Sequence, residues 1–279
     1  MASIAFHVMR RIADWRRRRF VARIPERVGA PDTSLPDLPL TLLAFCGRRD
    51  FPEQVASWLS FRRWVGRPRR SVLVSDGTLG EPEIQTLRRF EPRLEVSSLE
   101  QFGVAFASDR MRRYAEAIPM GRKLLVMRAA DSLAPCLYAD SDILYFPKAA
   151  ELGTSGFWNR SAPGYLFDPY PSLDLRLIHG EAERDSPVNA GFLVIPGPID
   201  WSEPMRRFER MEGEPVFFTE QTLTHLAIRG SGGTALVPKR YILRIEDQWL
   251  ARDRFTGPEV ALRHYVSHIR YKMWMKVPI

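Results

Sequence analysis

Two aspartates separated by a single residue are the strongest candidates for chemistry in this sequence. Asp140 and Asp142 follow an apolar run at 133–139 that predicts a strand. Side chains alternate along an extended chain, so carboxylates two positions apart point to the same side. Two hard oxygen ligands suit Mn²⁺ or Mg²⁺, which take further ligands from water and substrate phosphates. We therefore predict that Asp140 and Asp142 bind a divalent cation.

The Asp-x-Asp pair is weak evidence by itself. A chain of this composition contains one such pair about once by chance. At the end of a strand, the same two aspartates could instead accept hydrogen bonds from backbone amides in a turn. The surrounding elements and the segments that follow must therefore decide between a cation site and a polar turn.

Apolar runs and helical stretches alternate before the pair. Strands are predicted at 40–46, 71–74, 94–96 and 133–139, and helices at 52–65, 81–90 and 120–128. This order predicts an α/β fold with a mixed, mostly parallel, Rossmann-like sheet flanked by helices. Such sheets bind ligands at the carboxyl ends of their strands, which is where the two aspartates lie.

The start of the chain is strongly basic. Eight arginines lie between positions 10 and 27, and apolar residues recur at helical spacing over 3–20. The apolar face comprises Ile4, Phe6, Val8, Ile12 and Trp15. A linker is predicted from Pro25, Pro31, Pro36 and Pro39. We therefore predict two parts: a basic amphipathic helix with its linker, 1–36, and a catalytic domain, 37–279. The helix either docks against that domain or contacts an anionic membrane.

Composition limits the class of protein. The 279 residues are 45% hydrophobic, enough to bury the core of one α/β domain with an appendage. The two cysteines, Cys46 and Cys136, lie in apolar stretches, which argues against a disulfide framework. No run approaches the roughly 20 apolar residues of a membrane span, and the start lacks the apolar core of a signal peptide. We expect a cytoplasmic protein, peripheral on the inner face of the membrane if the basic helix binds lipid.

Four segments, taken in order, resemble a known family. The segment at 137–144 is similar to the Asp-x-Asp strand of GT-A glycosyltransferases, especially the family 8 group and its bacterial relatives. The segment at 189–194 resembles that family's Asn-Ala/Ser-Gly strand, and 219–223 its acidic-Gln pair. The segment at 264–274 resembles its C-terminal His-Tyr…Lys-Pro-Trp motif, although Met273 replaces the proline and the spacing from His264 to Lys272 is longer.

The resemblance implies a GT-A fold and a metal-dependent sugar transfer from a nucleoside diphosphate sugar, expected to be a UDP-sugar, to a glycan or lipid-linked acceptor. It implies Asp140, Asp142 and His264 as metal ligands, with His268 open as the alternative to His264. Catalytic roles are implied for Asn189, Glu220 and Gln221. Donor contacts are expected from Phe45, Cys46, Gly47, Asp76, Lys123, Arg128, Asp140, Ser141, Ala190, Gly191 and Lys272.

Other interpretations stay open. Glu220 and Gln221 could serve only as first-turn residues of a helix that starts near Thr219, and Gly191 could mark a bulge in a buried strand. A nucleotidyltransferase on a related α/β sheet would also need paired carboxylates, but no Gly-rich phosphate loop follows the first strand. A non-enzymatic protein that binds a membrane surface or nucleic acid through its arginines is a third possibility. The net charge of +8 favours an anionic partner, and the apolar face of the helix argues against nucleic acid.

Overall fold

The computed structural model describes residues 4–28, 35–103 and 108–278. Within these ranges the helices are α1 (Ile4–Ala22), α2 (Ile24–Arg27), α3 (Phe51–Trp64), α4 (Glu81–Phe90), α5 (Leu99–Gly103), α6 (Asp109–Ala117), α7 (Pro119–Ala129), α8 (Ser155–Trp158), α9 (Ser202–Arg210), α10 (Thr219–Gly230) and α11 (Arg270–Lys276). Short 3₁₀ segments connect several of them. None of the helices in the described ranges combines the length and the hydropathy that crossing a membrane requires.

The strands form two sheets. They are β1 (Asp37–Cys46), β2 (Arg67–Ser75), β3 (Leu94–Ser98), β4 (Cys136–Ala139), β5 (Ile143–Tyr145), β6 (Gly164–Phe167), β7 (Val188–Ile195), β8 (Thr234–Ala235), β9 (Tyr241–Ile242) and β10 (Leu262–His264). The larger sheet has the order β3-β2-β1-β4-β7-β6-β8, and the smaller one has the order β5-β10-β9.

The larger sheet confirms the predicted α/β class. Strands β3, β2, β1 and β4 pair in parallel, and β7 then runs antiparallel between β4 and β6. All eight residues of β7 are buried, as expected for a central strand covered by helices on both faces. The parallel pairing places the carboxyl ends of β1, β2 and β4 at one edge of the sheet, and Asp140 follows β4 there.

The smaller sheet was not predicted from the sequence. Its strands are two or three residues long, too short for a period-two pattern to stand out. It brings the C-terminal part of the chain to the Asp-x-Asp turn, because β10 pairs antiparallel with β5 and sets His264 opposite Ile143. The turn at 140–142 therefore connects the two sheets.

Helix α1 docks against α11. Phe20 and Ala13 are fully buried, and the guanidinium of Arg16 donates to the carbonyl of Trp274 at 2.6 Å. Of the predicted apolar face, Phe6 is partly buried, whereas Val8, Ile12 and Trp15 are exposed; the side chain of Ile4 lies outside the described residues. The docked face therefore takes Phe6 from the predicted stripe together with Phe20, whose rings contact Tyr271 and Trp274 of α11, while Val8, Ile12 and Trp15 of the stripe face solvent.

The predicted linker is only partly described. Pro31 and the neighbouring residues 29–34 lie outside the described ranges. Pro25 lies in the first turn of the short helix α2, where proline is tolerated, so the helical region continues to Arg27. Pro39 lies within β1, which starts at Asp37. The division into 1–36 and 37–279 stays a prediction.

Candidate metal and donor site

Three candidate ligands converge where the two sheets meet. Asp140 follows β4, Asp142 precedes β5 and His264 ends β10, and one ligand atom of each lies within 4.8 Å of the others. Backbone hydrogen bonds hold the turn, because Asp140 N donates to the carbonyl of Gly191 at 2.8 Å and Tyr265 N donates to that of Asp142 at 2.8 Å. The cluster is thus built by strand pairing on both sides.

His264 is oriented by Asn189. The Asn189 Oδ1 atom accepts from Gly191 N at 3.0 Å, and Asn189 Nδ2 donates to Asp168 Oδ2 at 3.3 Å. Oδ1 is therefore the acceptor atom, and His264 Nδ1, 3.0 Å away, must be the donor to it. This bond fixes the tautomer and turns Nε2 of His264 towards the carboxylates, which is the arrangement typical of histidine metal ligands.

The groups around His264 Nε2 favour a positive charge at this position. Nε2 lies 2.9 Å from Asp142 Oδ1 and 3.7 Å from Asp140 Oδ2. Once Nδ1 carries the ring's N–H, a neutral imidazole would direct a lone pair at two carboxylate oxygens. Either a proton on Nε2 or a divalent cation among the three groups removes this repulsion. Two carboxylates and one imidazole fit Mn²⁺ or Mg²⁺ with open positions for substrate oxygens.

Gly191 leaves the space that His264 occupies. A Cβ atom at position 191 would lie 2.2 Å from His264 Cε1 and 2.8 Å from Asn189 Oδ1. Any side chain on this residue would push the imidazole out of the cluster. The glycine is therefore required for close approach of the ring, and it also lies where the β6–β7 pairing is irregular, because Tyr165 pairs with Leu193 but Leu166 pairs with Asn189.

Arg270 closes one side of the cluster. Its guanidinium donates to Asp142 Oδ2 at 2.6 and 3.0 Å and to Asp50 Oδ1 at 3.0 Å. Burial by itself raises the pKa of Asp142, but His264 and Arg270 outweigh burial and hold the pKa below its ordinary value. Burial raises the pKa of Asp50, although Arg270 opposes this. Asp142 is therefore kept ionised, as a cation ligand must be.

Lys123 closes the opposite side of the cluster. Its buried ammonium lies 2.8 Å from Asp140 Oδ2, while Tyr138 Oη donates to Asp140 Oδ1 at 2.6 Å. Burial disfavours the charged lysine, but Asp140 and Glu220 more than compensate and raise its pKa. Since Lys123 lies on α7 and Tyr138 on β4, two different elements orient the Asp140 carboxylate.

Glu220 and Gln221 begin helix α10 beside the cluster. Burial raises the pKa of Glu220 to about 7, and the Asp140 carboxylate adds to this, while Lys123 and the hydrogen bond from Thr224 oppose it. Gln221 Nε2 donates to Asp168 Oδ2 at 3.2 Å, the same oxygen that Asn189 contacts. Asp168 therefore links the two predicted amides, although the sequence did not single it out.

Solved structures of known proteins have the same architecture. The chain is similar to the galactosyltransferase LgtC in complex with donor and acceptor sugar analogues, with 14% identity, a TM-score of 0.54, and coverage of 86% of this chain and 97% of LgtC. It is also similar to the glycosyltransferase GlyE of Streptococcus pneumoniae, with 13% identity and a TM-score of 0.55 over 87% of this chain and 61% of GlyE. No family model and no curated protein matches the sequence.

The chain has the GT-A fold. Four residues expected to contact the donor lie together at the carboxyl ends of β1 and β2: Phe45, Cys46, Gly47 and Asp76. A backbone hydrogen bond joins the two strand ends, because Asp76 N donates to the carbonyl of Cys46 at 3.2 Å. A Cβ atom on Gly47 would lie 2.0 Å from Asp76 Oδ2, so the glycine makes room for that carboxylate. Ser141 and Ala190 are buried beside the cluster, in the turn and in β7.

Two predicted donor contacts lie elsewhere in this GT-A chain. Lys272 is fully buried, and its ammonium donates to the carbonyls of Leu250 and Arg252 at 2.8 and 2.9 Å. Arg128 contacts Met111 Sδ at 3.4 Å, on the side of α7 that faces α6. Neither side chain reaches the carboxylate cluster in this structure, and the donor contacts expected from them stay predictions.

Helix geometry explains why Arg270 rather than Lys272 meets the cluster. Residues two apart on a helix point in directions about 200° apart, so Arg270 and Lys272 of α11 face opposite sides. Helix α11 starts at Arg270, which directs this residue at Asp142 and directs Lys272 at the loop around residue 250. The sequence already showed the departure that accompanies this geometry, because the spacing from His264 to Lys272 is longer than in the family that the segment resembles.

The structure also separates the two histidines. His264 ends strand β10, whereas His268 lies in a 3₁₀ segment, Ser267–Ile269, and is exposed. The two do not share a helix face, so their spacing of four does not make them equivalent. Among the described residues, the cluster that could hold a cation contains His264 and not His268.

A polar cleft lies between helix α1 and Arg270, the residue that contacts Asp142. It has a volume of about 820 Å³ and is lined by side chains that include Asp50, Arg270, Arg10, Arg17 and Trp249. Arg17 is held by Glu53, with Nε 2.8 Å from Oε1. One flank of α1 therefore forms a wall of the cleft beside the candidate site.

Proposed function

We propose that this chain is a divalent-cation-dependent glycosyltransferase, similar to family 8, that transfers a sugar from a nucleoside diphosphate sugar to a glycan or lipid-linked acceptor. One observation carries the proposal: Asp140, Asp142 and His264 converge within 4.8 Å at the carboxyl end of β4 in a GT-A fold. The neighbours with this fold are glycosyltransferases, and LgtC was crystallised with donor and acceptor sugar analogues. We also propose a cytoplasmic location, supported by two free, buried cysteines.

Asp140, Asp142 and His264 would hold Mn²⁺ or Mg²⁺. When bound there, the cation supplies charge neutralisation for the departing diphosphate. The chain's contribution is to keep the ligands in the form that binds metal. Lys123 and Tyr138 orient Asp140, Asn189 turns His264 Nε2 inward, and Arg270 keeps Asp142 ionised.

We propose Arg270 as the basic contact for the donor diphosphate. Its side chain is 36% exposed and already positioned between Asp50 and Asp142, whereas that of Lys272 is 1% exposed and engaged by carbonyl groups. A planar guanidinium can give two parallel hydrogen bonds to phosphate oxygens, which an ammonium cannot. Phe45, Cys46, Gly47 and Asp76 would then contact the nucleoside at the ends of β1 and β2.

Gln221, Asn189 and Glu220 are proposed to face the transferred sugar. Asp168 accepts from both amides and so fixes their orientation, which leaves the Gln221 carbonyl oxygen for the sugar side. A solved mutant of LgtC carries glutamate in place of an active-site glutamine, which supports a functional role for a glutamine in this fold. Glu220, with a pKa of about 7, is available as a neutral or an ionised group near neutral pH.

The test combines ligand binding with product analysis. We expect UDP to raise the melting temperature of the full chain only when Mn²⁺ is present, because ligands stabilise the state that binds them. Asp142→Asn should abolish this shift and lower sugar transfer by roughly 10²–10³-fold, since it removes a charge that binds the cation. The control is Glu246→Gln, which removes an exposed carboxylate outside the cluster.

The products distinguish the related enzyme class. A glycosyltransferase breaks the bond between the anomeric carbon and the diphosphate and releases a nucleoside diphosphate. A nucleotidyltransferase breaks a bond between phosphates and releases pyrophosphate from a nucleoside triphosphate. Pyrophosphate release, or the absence of a cation-dependent shift with every nucleoside diphosphate, would contradict the proposal.

A further inference from the structure

Helix α1 has one face that is used entirely for docking. Phe6, Ala13 and Phe20 are seven residues apart and therefore lie along one side of the helix. The ring of Phe6 lies 4.9 Å from that of Trp249, and the ring of Phe20 lies 5.3 Å from that of Trp274. This face anchors α1 to the rest of the protein and thereby determines which side of the helix is exposed to solvent.

The opposite face of α1 carries an exposed apolar stripe. Val8, Ile12 and Trp15 follow the i, i+4, i+7 spacing of one helical face, and they are 48%, 38% and 51% exposed. Single exposed apolar side chains are ordinary, but a contiguous group on one helix indicates a binding surface. We call Val8, Ile12 and Trp15, together with the arginines among them, the outer face.

Three arginines of the outer face lack acidic partners. Arg11, Arg18 and Arg19 are exposed, and among the residues that the structure describes no carboxylate forms an ion pair with them. The guanidinium of Arg19 lies 5.3 Å from the ring centroid of Trp15, beside the apolar stripe. The arginines of the docked side are different, because Arg16 and Arg17 are engaged by backbone carbonyls and by Glu53.

We propose that the outer face of α1 binds an anionic lipid bilayer. Apolar side chains flanked by arginines match the boundary between acyl chains and phosphate groups, where the rings enter and the guanidinium groups remain with the phosphates. A nucleic-acid backbone would match the charges but would leave the apolar stripe in water. Docking through the opposite face keeps the helix rigid, so binding does not require α1 to detach.

Vesicle binding of the full chain tests the proposal. The probes are vesicles of phosphatidylcholine with 30% phosphatidylglycerol and vesicles of phosphatidylcholine alone, measured by co-sedimentation at fixed salt. Each arginine near an anionic surface contributes about a five-fold gain in affinity, so R11Q/R18Q/R19Q should weaken binding by roughly 100-fold. The matched control is R69Q/R89Q/R113Q, which removes three exposed arginines outside α1 and should retain most of the binding.

A second variant separates lipid from nucleic acid. V8S/I12S/W15S keeps every charge and should lose vesicle binding while its weak affinity for duplex DNA is unchanged. The proposal fails if this variant binds vesicles as well as the unmodified chain does, or if the two arginine triples lose binding equally. It also fails if full-length protein does not bind the anionic vesicles. Transfer to a soluble acceptor is measured in parallel, so absence of vesicle binding by the unmodified chain together with intact transfer contradicts the membrane surface and not the transferase function.

Discussion

Two clusters of buried charge lie on opposite faces of strand β10. Arg263 and His264 are neighbours in this strand and therefore point to opposite sides. Arg263 contacts Asp247 at 2.7 Å and also pairs with Asp253, and Lys272 lies 3.4 Å from Asp247. In that cluster two cations balance two carboxylates, with side chains at most 1% exposed.

The cluster around His264 is balanced differently. Asp140, Asp142 and Asp168 meet Lys123 and Arg270, and the Asp140 side chain is 24% exposed. In the cluster around Arg263 the charges cancel and solvent is excluded, so no ligand can bind there. In the cluster around His264 an imidazole faces two carboxylates at an accessible position, so a cation can bind. Burial of charge is common to both, so accessibility and the surplus of acceptors identify the binding site.

The largest expected effect lies in the closed cluster. Arg263→Met leaves Asp247 and Asp253 buried with Lys272 as the remaining cation, so the free energy of unfolding should fall by about 3–5 kcal/mol. Urea denaturation of the full chain measures this change. Mn²⁺ affinity of the protein that remains folded should be unaltered, and a large change in affinity would show that the two clusters are not independent.

Glu220→Gln should remove a pH dependence of stability. The folded-state pKa of about 7 lies above the ordinary value of 4.5, so between these values the folded chain keeps a proton that the unfolded chain loses. The stability of the unmodified protein should therefore fall by about 3 kcal/mol as the pH rises from 4.5 to above 7. Denaturation of both proteins at pH 5 and pH 8 tests this, and equal pH slopes would contradict the neutral, buried form of Glu220.

Gly191→Ala should weaken cation binding by about 10–100-fold, because the new methyl group displaces the His264 ring. Titration of Mn²⁺ by electron paramagnetic resonance measures the affinity directly. Gly197→Ala is the matched control, since a Cβ atom at that position meets no neighbour within 4 Å. Equal affinities for the two variants would mean that His264 does not ligate the cation.

The smallest expected effect distinguishes Arg270 from Lys276, another basic residue of α11. Arg270→Gln should weaken Mn²⁺-dependent UDP binding by about 10-fold, the lower end of the value of one hydrogen bond to a charged group, because the arginine is partly exposed. Lys276→Gln removes an exposed charge from the same helix and should leave the affinity unchanged. Calorimetric titration compares them, and an equal loss in both variants would indicate a general effect of charge.

The sequence by itself determined the parallel strands of the larger sheet, the helices between them and the order of the motifs. The helix predicted at 81–90 agrees with α4 at both ends, and β1 and β2 extend the predicted strands by a few residues. These features depend on neighbours within a few positions, so local periodicity and the turn after β4 are enough to predict them. Asp140 and Asp142 were predicted from their spacing at a strand end, and His264 from the resemblance of the C-terminal segment to the family's motif.

Only the tertiary structure decided which side chains meet. The small sheet selected His264 over His268, the start of α11 selected Arg270 over Lys272, and Asp168 joined the site from β6 and its following turn. Packing also buried Phe20 and left Trp15 exposed on the same helix. These outcomes depend on contacts between residues far apart in sequence. The local sequence around a residue does not specify which distant residue it will contact.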